Sequence, residues 1–443
     1  MQRRSFLATL AAGALPLPAL AAGSVAQQTG DTAAAPGGAP TGAGTTFFIP
    51  GYWPDRALIG GKWADKAWRV GGRGHAAVGT LSMLTRLGAD GSVKQAVFPV
   101  NGHDVEIAPG GRVGFFGRME YDGARSAAHH VAFDPATLEL VAQGQPVKPA
   151  WRGGGHGEFL PGGDVLLTSE RRPLAGFAGH PEAHYGLIAL RDPETLKVID
   201  TLPCHGIDPH EVRLMPDGKH IAVANYGSVA PKGHRSLGAP RTVVEASVTV
   251  VDLASGALVA KYRSDDPGVE LRHLTVTPEA RIFAIRARVG KEGDDLAYLG
   301  TGAADEMDMT RDSGACFLPA RPMLFGPDAG AGIVCGSAED DPHMRHGLSV
   351  KADPVAGEVI ATFPSAHRIG VFDAATGALK RSIDTNAFGL RYPAGLFLLP
   401  DGLHYAVAGY WQGLYLFSRG THVLDRTLTH YPMLFGHSHM TAV

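Results

Sequence analysis

An all-β fold assembled from repeated units is what the sequence predicts, on three observations. Gly (59) and Pro (31) together make up about a fifth of the 443 residues, which suits short strands joined by tight turns far better than helices. A pattern recurs along the chain: a His, a short apolar run, a Pro-Asp-Gly or Pro-Gly-Gly turn, then a second apolar run. Units of this length indicate a solenoid or a propeller. Finally, the chain stops at Val443, shortly after His437 opens what looks like one more copy, so only a single strand fits there.

Taken from the N-terminus, Met1-Gln2-Arg3-Arg4-Ser5-Phe6-Leu7 leads into an apolar run that ends in small residues at Ala21-Ala22. This resembles a twin-arginine (Tat) signal peptide over residues 1–22. Such signals carry proteins already folded, often with a cofactor in place, so the mature chain is expected in the periplasm, with no membrane span after signal removal. Residues 23–45, rich in Ala, Gly, Thr and Pro, are expected to form a disordered linker. Residues 46–443 are left for the folded domain.

Within that domain the clear copies of the repeat begin at His103, His156, His210 and His273, each followed by a turn at Pro109, Pro161, Pro216 or Pro278. Fainter copies begin at His346 and Tyr392, the latter with Pro400-Asp401-Gly402. Downstream of several copies an apolar run ends in Asp before a turn, as at Asp134, Asp252 and Asp373. These aspartates are expected to form the turns, and each unit then holds four strands, as in a propeller blade. From His103 to Tyr392 the spacings are 53, 54, 63, 73 and 46 residues. Residues 46–98 supply strands without a copy of the motif, while the C-terminus supplies a strand without a blade. The economical solution is a seven-bladed β-propeller whose C-terminal strand completes the N-terminal blade and removes exposed edges.

In such a ring, any residue type repeated at the start of the inner strands converges on the axis. That places His103, His156, His210 and His273 at the channel mouth, with His346 and His437 as weaker candidates because no turn supports their register. Imidazoles brought together from separate strands are what Fe, Cu or Zn sites use. The ends of the second strands add Arg118, Glu170, Arg171 and Asn225 to the same rim, and Glu211 follows His210. The competing reading is structural, each His bonding the backbone of a neighbouring blade. His180, His184, His234, His343 and His439 fall in turns or at strand ends and are expected to be solvated.

Composition removes other classes. With 40 Lys+Arg against 43 Asp+Glu, a net charge of −3, there is no footprint for nucleic acid. No nucleotide motif stands in a convincing context, and no Cys-x-x-Cys-His occurs, so neither a nucleotide nor c-type haem is expected. Of the three cysteines, Cys316 and Cys335 are placed to close a loop, which leaves Cys204 beside His205; whether that disulfide forms stays open.

The stretch His205-Gly206-Ile207-Asp208-Pro209-His210-Glu211-Val212-Arg213-Leu214-Met215-Pro216-Asp217-Gly218, ending Val223-Ala224-Asn225, resembles the signature of a bacterial Tat-exported propeller family catalogued only as a domain of unknown function. Gly155-His156-Gly157-Glu158-Phe159, Ser169-Glu170 and Arg272-His273-Leu274 match its other landmarks, and the likeness covers roughly residues 65 to 420. It departs after Asn225, at Tyr226-Gly227 and the following loop, and weakens in the last blades. The resemblance implies a role in iron or other metal handling beside partners such as imelysin-like and di-haem oxidase-like proteins. It carries over His156, Glu170, His210, Glu211, Asn225 and His273.

The expectation is therefore a monomeric periplasmic propeller binding a metal or metal chelate at its channel mouth in iron or copper handling. His103, His156, His210 and His273 would be the ligands, with Glu170 or Glu211 as a further ligand or an orienting group. The alternatives are a non-catalytic protein-interaction platform, and a hydrolase or lyase using a divalent metal on carboxylates. Whether the protein is an enzyme is left open.

Overall fold

Runs such as Ile221-Ala222-Val223-Ala224 carry no polar alternation because both faces of the strand are covered. Ile221 and Val223 pack toward the preceding sheet with Leu167 and Ile188, while Ala222 and Ala224 pack toward the following one with Leu274 and Ile282. A strand with no wet face lies inside a stack of sheets, and stacking such sheets around an axis gives a propeller. Only the outermost strands return to water, as at Val198, Ile199, Leu258 and Val259.

The computed structural model describes residues 29–32, 44–52, 56–59, 62–65, 82–119, 128–173, 177, 179–229, 242–266, 268–289, 317–326, 332–409, 413–427 and 439–443, and there the chain forms seven blades. Blade 1 is N-terminal, with Phe47–Tyr52, Ser82–Leu87 and Val93–Phe98. Blades 2 to 7 begin with the inner strands Gly102–Ile107, Arg152–Phe159, Pro209–Leu214, Glu270–Val276, Val350–Asp353 and Pro393–Leu398. Within blades 2 to 7 the strands run outward antiparallel in chain order. Among the described residues no helix is long and apolar enough to cross a membrane.

The ring closes as the sequence predicts. Thr441–Ala442 is the innermost strand of blade 1, pairing Phe47 with Ala442 and Phe48 with Thr441. Thr46 and Val443 exchange backbone bonds of 2.7 and 2.9 Å. Phe47, Ile49 and Leu87 of blade 1 then share one core with Met440, Ala442 and the blade 7 residues Leu414 and Leu416. Inside the stretch expected to be a linker, Thr29–Thr32 pairs with 93–96 as an outer strand. Backbone pairing at a sheet edge asks little of the side chains, so a Thr-Gly-Asp-Thr segment can take that place.

The turn aspartates behave alike in successive blades. Asp134, Asp252 and Asp373, and Asp192 in blade 3, each accept the backbone N–H three residues on, at 2.7 to 2.8 Å. Cys204 and Cys335 are free, buried thiols, and burial pushes both up to about 12. Cys316 lies outside the described residues, so its proposed pairing is not addressed.

Candidate metal centre

Five inner strands share a local irregularity at their start, that of blade 7 between Pro393 and Leu396 and the other four on the strands that carry the clear His copies. In those four the pairing with the second strand slips between Gly102 and Asp104, Gly153 and Gly157, Pro209 and Val212, and Leu271 and His273. An extra residue at such a slip breaks the in-and-out alternation and re-aims a side chain. Counted back from the turn prolines, Asp104, His156, Glu211 and His273 stand at the same position, the fifth before Pro109, Pro161, Pro216 and Pro278. His103 and His210 stand one residue earlier. Successive blades therefore present carboxylate, imidazole, carboxylate and imidazole at one level, with two more imidazoles just above it.

The nitrogens offered by His103, His156, His210 and His273 all lie within 4.8 Å of one another, and all four residues are buried. Ring centroids are 4.4 Å apart for His156 and His210, 4.5 Å for His210 and His273, and 5.0 Å for His103 and His156. Gly155 makes this approach possible. Its φ is +105°, and a Cβ there would meet the His103 ring at 2.8 Å and the His210 ring at 3.2 Å.

Three of the rings have an oxygen at Nδ1. Asp104 Oδ2 is 3.1 Å from His156 Nδ1, Glu211 Oε2 is 3.2 Å from His273 Nδ1, and the Gly154 carbonyl accepts from His210 Nδ1 in a short contact. The Gly154 carbonyl can only accept, so His210 Nδ1 carries the proton and its Nε2 keeps its lone pair, whereas the Asp104 and Glu211 oxygens lie beside the other two Nδ1 atoms without completing a hydrogen bond. Arg171 Nη2, 3.1 Å from His210 Nδ1, is the looser of the two contacts at that nitrogen and does not reverse the assignment. Nε2 of His210, Nδ1 of His273 and both ring nitrogens of His156 have no hydrogen-bond partner among the described residues. Burial, with the charges of the other rings, holds His103 and His210 well below the usual imidazole range, and burial lowers His273 to about 4 despite the opposing pull of Glu211. All three are neutral donors at neutral pH.

The carboxylates are themselves anchored. Burial works to raise Asp104 and Glu211, but Arg213 and the facing imidazoles outweigh it, and both stay below the usual range. Arg213 Nη2 is 2.6 Å from Glu211, while its Nη1 reaches Glu158 at 2.7 Å and Glu106 at 3.2 Å. Burial and the nearby Asp104 push Glu106 up to about 7.

The remaining candidates divide. Glu211 orients His273, and Arg171 lies beside His210 with its guanidinium 4.5 Å from the Tyr226 ring. Glu170 is not at the rim: it is buried between blades 2 and 3, where it meets His129 at 2.7 Å, His130 at 3.2 Å and Arg191 at 2.7 Å. The second strand alternates faces, and Glu170 falls on the lateral one. Arg118 is half-buried beside the same group, its backbone N–H donating to His130 Nδ1. Asn225 also points between blades, donating to the Val223 and Ser247 carbonyls and to Thr249 Oγ1, in space left by Gly206.

His346 stands apart from the cluster, stacked 3.8 Å over Phe317. In blades 6 and 7 the residues six before Pro354 and Pro400 are Leu348 and Ala394, which pack together with Tyr392. His437 lies outside the described residues. His439, expected to be solvated, is instead buried against the cluster, 4.5 Å from His156 and His273 and 4.9 Å from His103. Asp104 and the pair His129 and His130 also carried no signal in the motif itself, although counting back from Pro109 marks Asp104.

A seven-bladed propeller with a buried cluster of imidazoles on its axis is the class that this fold and site define. Residues 98–310 match the family model described as "Protein of unknown function (DUF1513)", the span that contains the signature around His210. Among solved structures it is similar to two proteins named as candidate 6-phosphogluconolactonases. The one from Bacteroides fragilis is 12% identical, with a TM-score of 0.51, covering 91% of this chain and 98% of that one. The other, from Bacteroides uniformis, is 14% identical, with a TM-score of 0.50, covering 90% and 99%. At this identity the likeness shows the fold alone. No curated protein matches the sequence.

Proposed function

We propose that the protein binds one transition-metal ion, Fe, Cu or Zn, bare or within a chelate, through His103, His156, His210 and His273, and serves metal handling in the periplasm. The observation that carries this reading is the convergence of four buried imidazoles, three of which have an oxygen of Asp104, Glu211 or the Gly154 carbonyl beside Nδ1. Outer oxygens that fix tautomer and raise ligand basicity are characteristic of metal-ligating histidines, and neutral nitrogen donors suit these metals. An ion there would supply Lewis acidity, or one-electron chemistry if it is Fe or Cu. The chain's own residues hold the rings in register, and burial keeps His103, His210 and His273 unprotonated.

The Tat-like leader, Arg3-Arg4 before the apolar run, supports folding and loading before export, and with it a periplasmic place of action. The family resemblance favours iron over copper, with imelysin-like partners. A hydrolase built on axial carboxylates gains less, because Asp104 and Glu211 already serve His156, His273 and Arg213. The test is elemental analysis of the exported protein beside a His156→Ala/His210→Ala variant. Wild type is expected to carry on the order of one ion per chain and the folded variant none; a metal-free wild type that cannot be loaded refutes the reading.

A further inference from the structure

The axial cluster contains a histidine that the repeat does not predict. His439 precedes Thr441–Ala442, the strand that closes the ring, and its side chain lies among rings contributed by other blades. Its ring centroid is as near to those of His156 and His273 as theirs are to His210. His439 is buried, and its Nε2 has no hydrogen-bond partner among the described residues. Buried polar atoms are nearly always satisfied, so an orphaned imidazole nitrogen inside a group of donors points to a missing acceptor of lone pairs.

The position of His439 in the chain adds a second observation. Every other cluster histidine sits on a strand that continues through a hairpin into its own blade, so the covalent chain holds it in place. His439 leads into a strand that no described hairpin ties to blade 1, and besides the core packing of Met440 and Ala442 the contacts that seat it are hydrogen bonds. These are the short pairing of Thr441 and Ala442 with Phe48 and Phe47, the exchange between Thr46 and Val443, and a 3.3 Å bond from its own backbone N–H to the His103 carbonyl.

We infer that His439 is a further ligand of the axial metal, so that one ion ties the ring-closing strand of blade 1 to the inner strands of blades 2 to 5. The inference rests on the metal-binding reading above. Closure of the propeller and occupancy of its centre are then linked: whatever binds the closed ring and not the open one favours closure by mass action. A fully loaded protein keeps its C-terminus in place, and a metal-free one opens first at that strand.

The test uses the full chain, purified from cells grown with added zinc and, separately, stripped with a chelator. Hydrogen exchange is followed at the Thr46 and Val443 amides, and zinc affinity is measured by chelator competition. In wild type, zinc is expected to slow exchange at both amides. In His439→Ala that slowing disappears and affinity falls on the order of 100-fold, since even the outer partners of metal ligands are worth about 10–100-fold. His346→Ala should behave as wild type in both assays. If zinc binds through His156 and His210 while His439→Ala keeps wild-type affinity and the two amides are indifferent to zinc, this inference fails and the metal-binding reading stands. If wild type takes up no zinc, iron or copper, both fail. Should His439→Ala not fold, the comparison of loaded and stripped wild type still decides whether closure responds to the metal.

Discussion

Two groups of buried histidines in this protein look alike in composition and differ in what their nitrogens do. In the lateral group, His130 Nδ1 accepts the Arg118 N–H at 3.0 Å and its Nε2 meets Glu170, so both ring nitrogens are in use. Glu170 in turn meets His129, Arg191 and Thr168 Oγ1. In the axial group, oxygens lie beside Nδ1 of His156 and His210. The first group is a joint between blades 2 and 3 built on the buried Glu170–Arg191 pair, and in the second Nε2 of both His156 and His210 lacks a hydrogen-bond partner among the described residues. Burial and the count of histidines therefore do not distinguish the groups; the Glu170–Arg191 ion pair at the centre of one and the mutual approach of four imidazoles in the other do.

The largest effect that separates the groups is on metal content and on stability, in opposite places. His156→Ala/His210→Ala should abolish metal binding and leave the circular-dichroism spectrum and elution volume unchanged. Glu170→Gln should keep the metal and destabilise the fold by about 3–5 kcal/mol, because Arg191 loses its buried partner; urea titration measures this. A metal-free Glu170→Gln variant would erase the contrast.

Acid provides the next test. Burial and the neighbouring His129 lower His130 to about 3, against 6.5 in an unfolded chain. Between these values the unfolded state binds a proton that the folded state does not, so stability falls as pH drops from about 6.5 towards 3, by about 5 kcal/mol across the window. Glu170 acts with the same sign: His129 and Arg191 overcome burial to hold it well below 4.5, so acidification protonates the unfolded chain first. Urea midpoints measured from pH 7 to pH 4 should decline, and His130→Phe should flatten part of that slope. An unchanged slope in His130→Phe would show that the lateral joint does not titrate as described.

A smaller effect is expected at the oxygens behind the axial rings. Asp104→Asn and Glu211→Gln should each weaken metal affinity by about 10–100-fold while saturating metal still gives the wild-type stoichiometry. Equal affinity in both variants would return these carboxylates to a purely structural role. The smallest is His346→Ala, which removes a stack on Phe317 outside the cluster. It should cost about 1 kcal/mol in denaturant unfolding with metal content untouched.

The blade number, the ring closure by the C-terminal strand and the four axial histidines were legible in the sequence because a hairpin turn fixes register. His103, His156, His210 and His273 are each anchored by a downstream proline. The same count from Pro354 gives Leu348 rather than His346, so that correction was available in the sequence. His437 and His439 have no turn proline five or six residues on to count back from, so counting could not tell them apart. Glu170 and Asn225 were assigned to the rim because they end second strands. Which face such a residue takes depends on pairing across the sheet, at Gly153 for Glu170 and Pro209 for Asn225, and that is a tertiary fact.

The most direct test of the central claim is X-ray absorption at the metal edge of the exported wild-type protein, with the metal content determined on the same sample. The account predicts on the order of one Fe, Cu or Zn per chain, with a first shell of nitrogen near 2.0–2.1 Å and the outer scattering pattern of several imidazoles. A protein that holds no metal, or holds it through oxygen ligands with no imidazole signature, would contradict it.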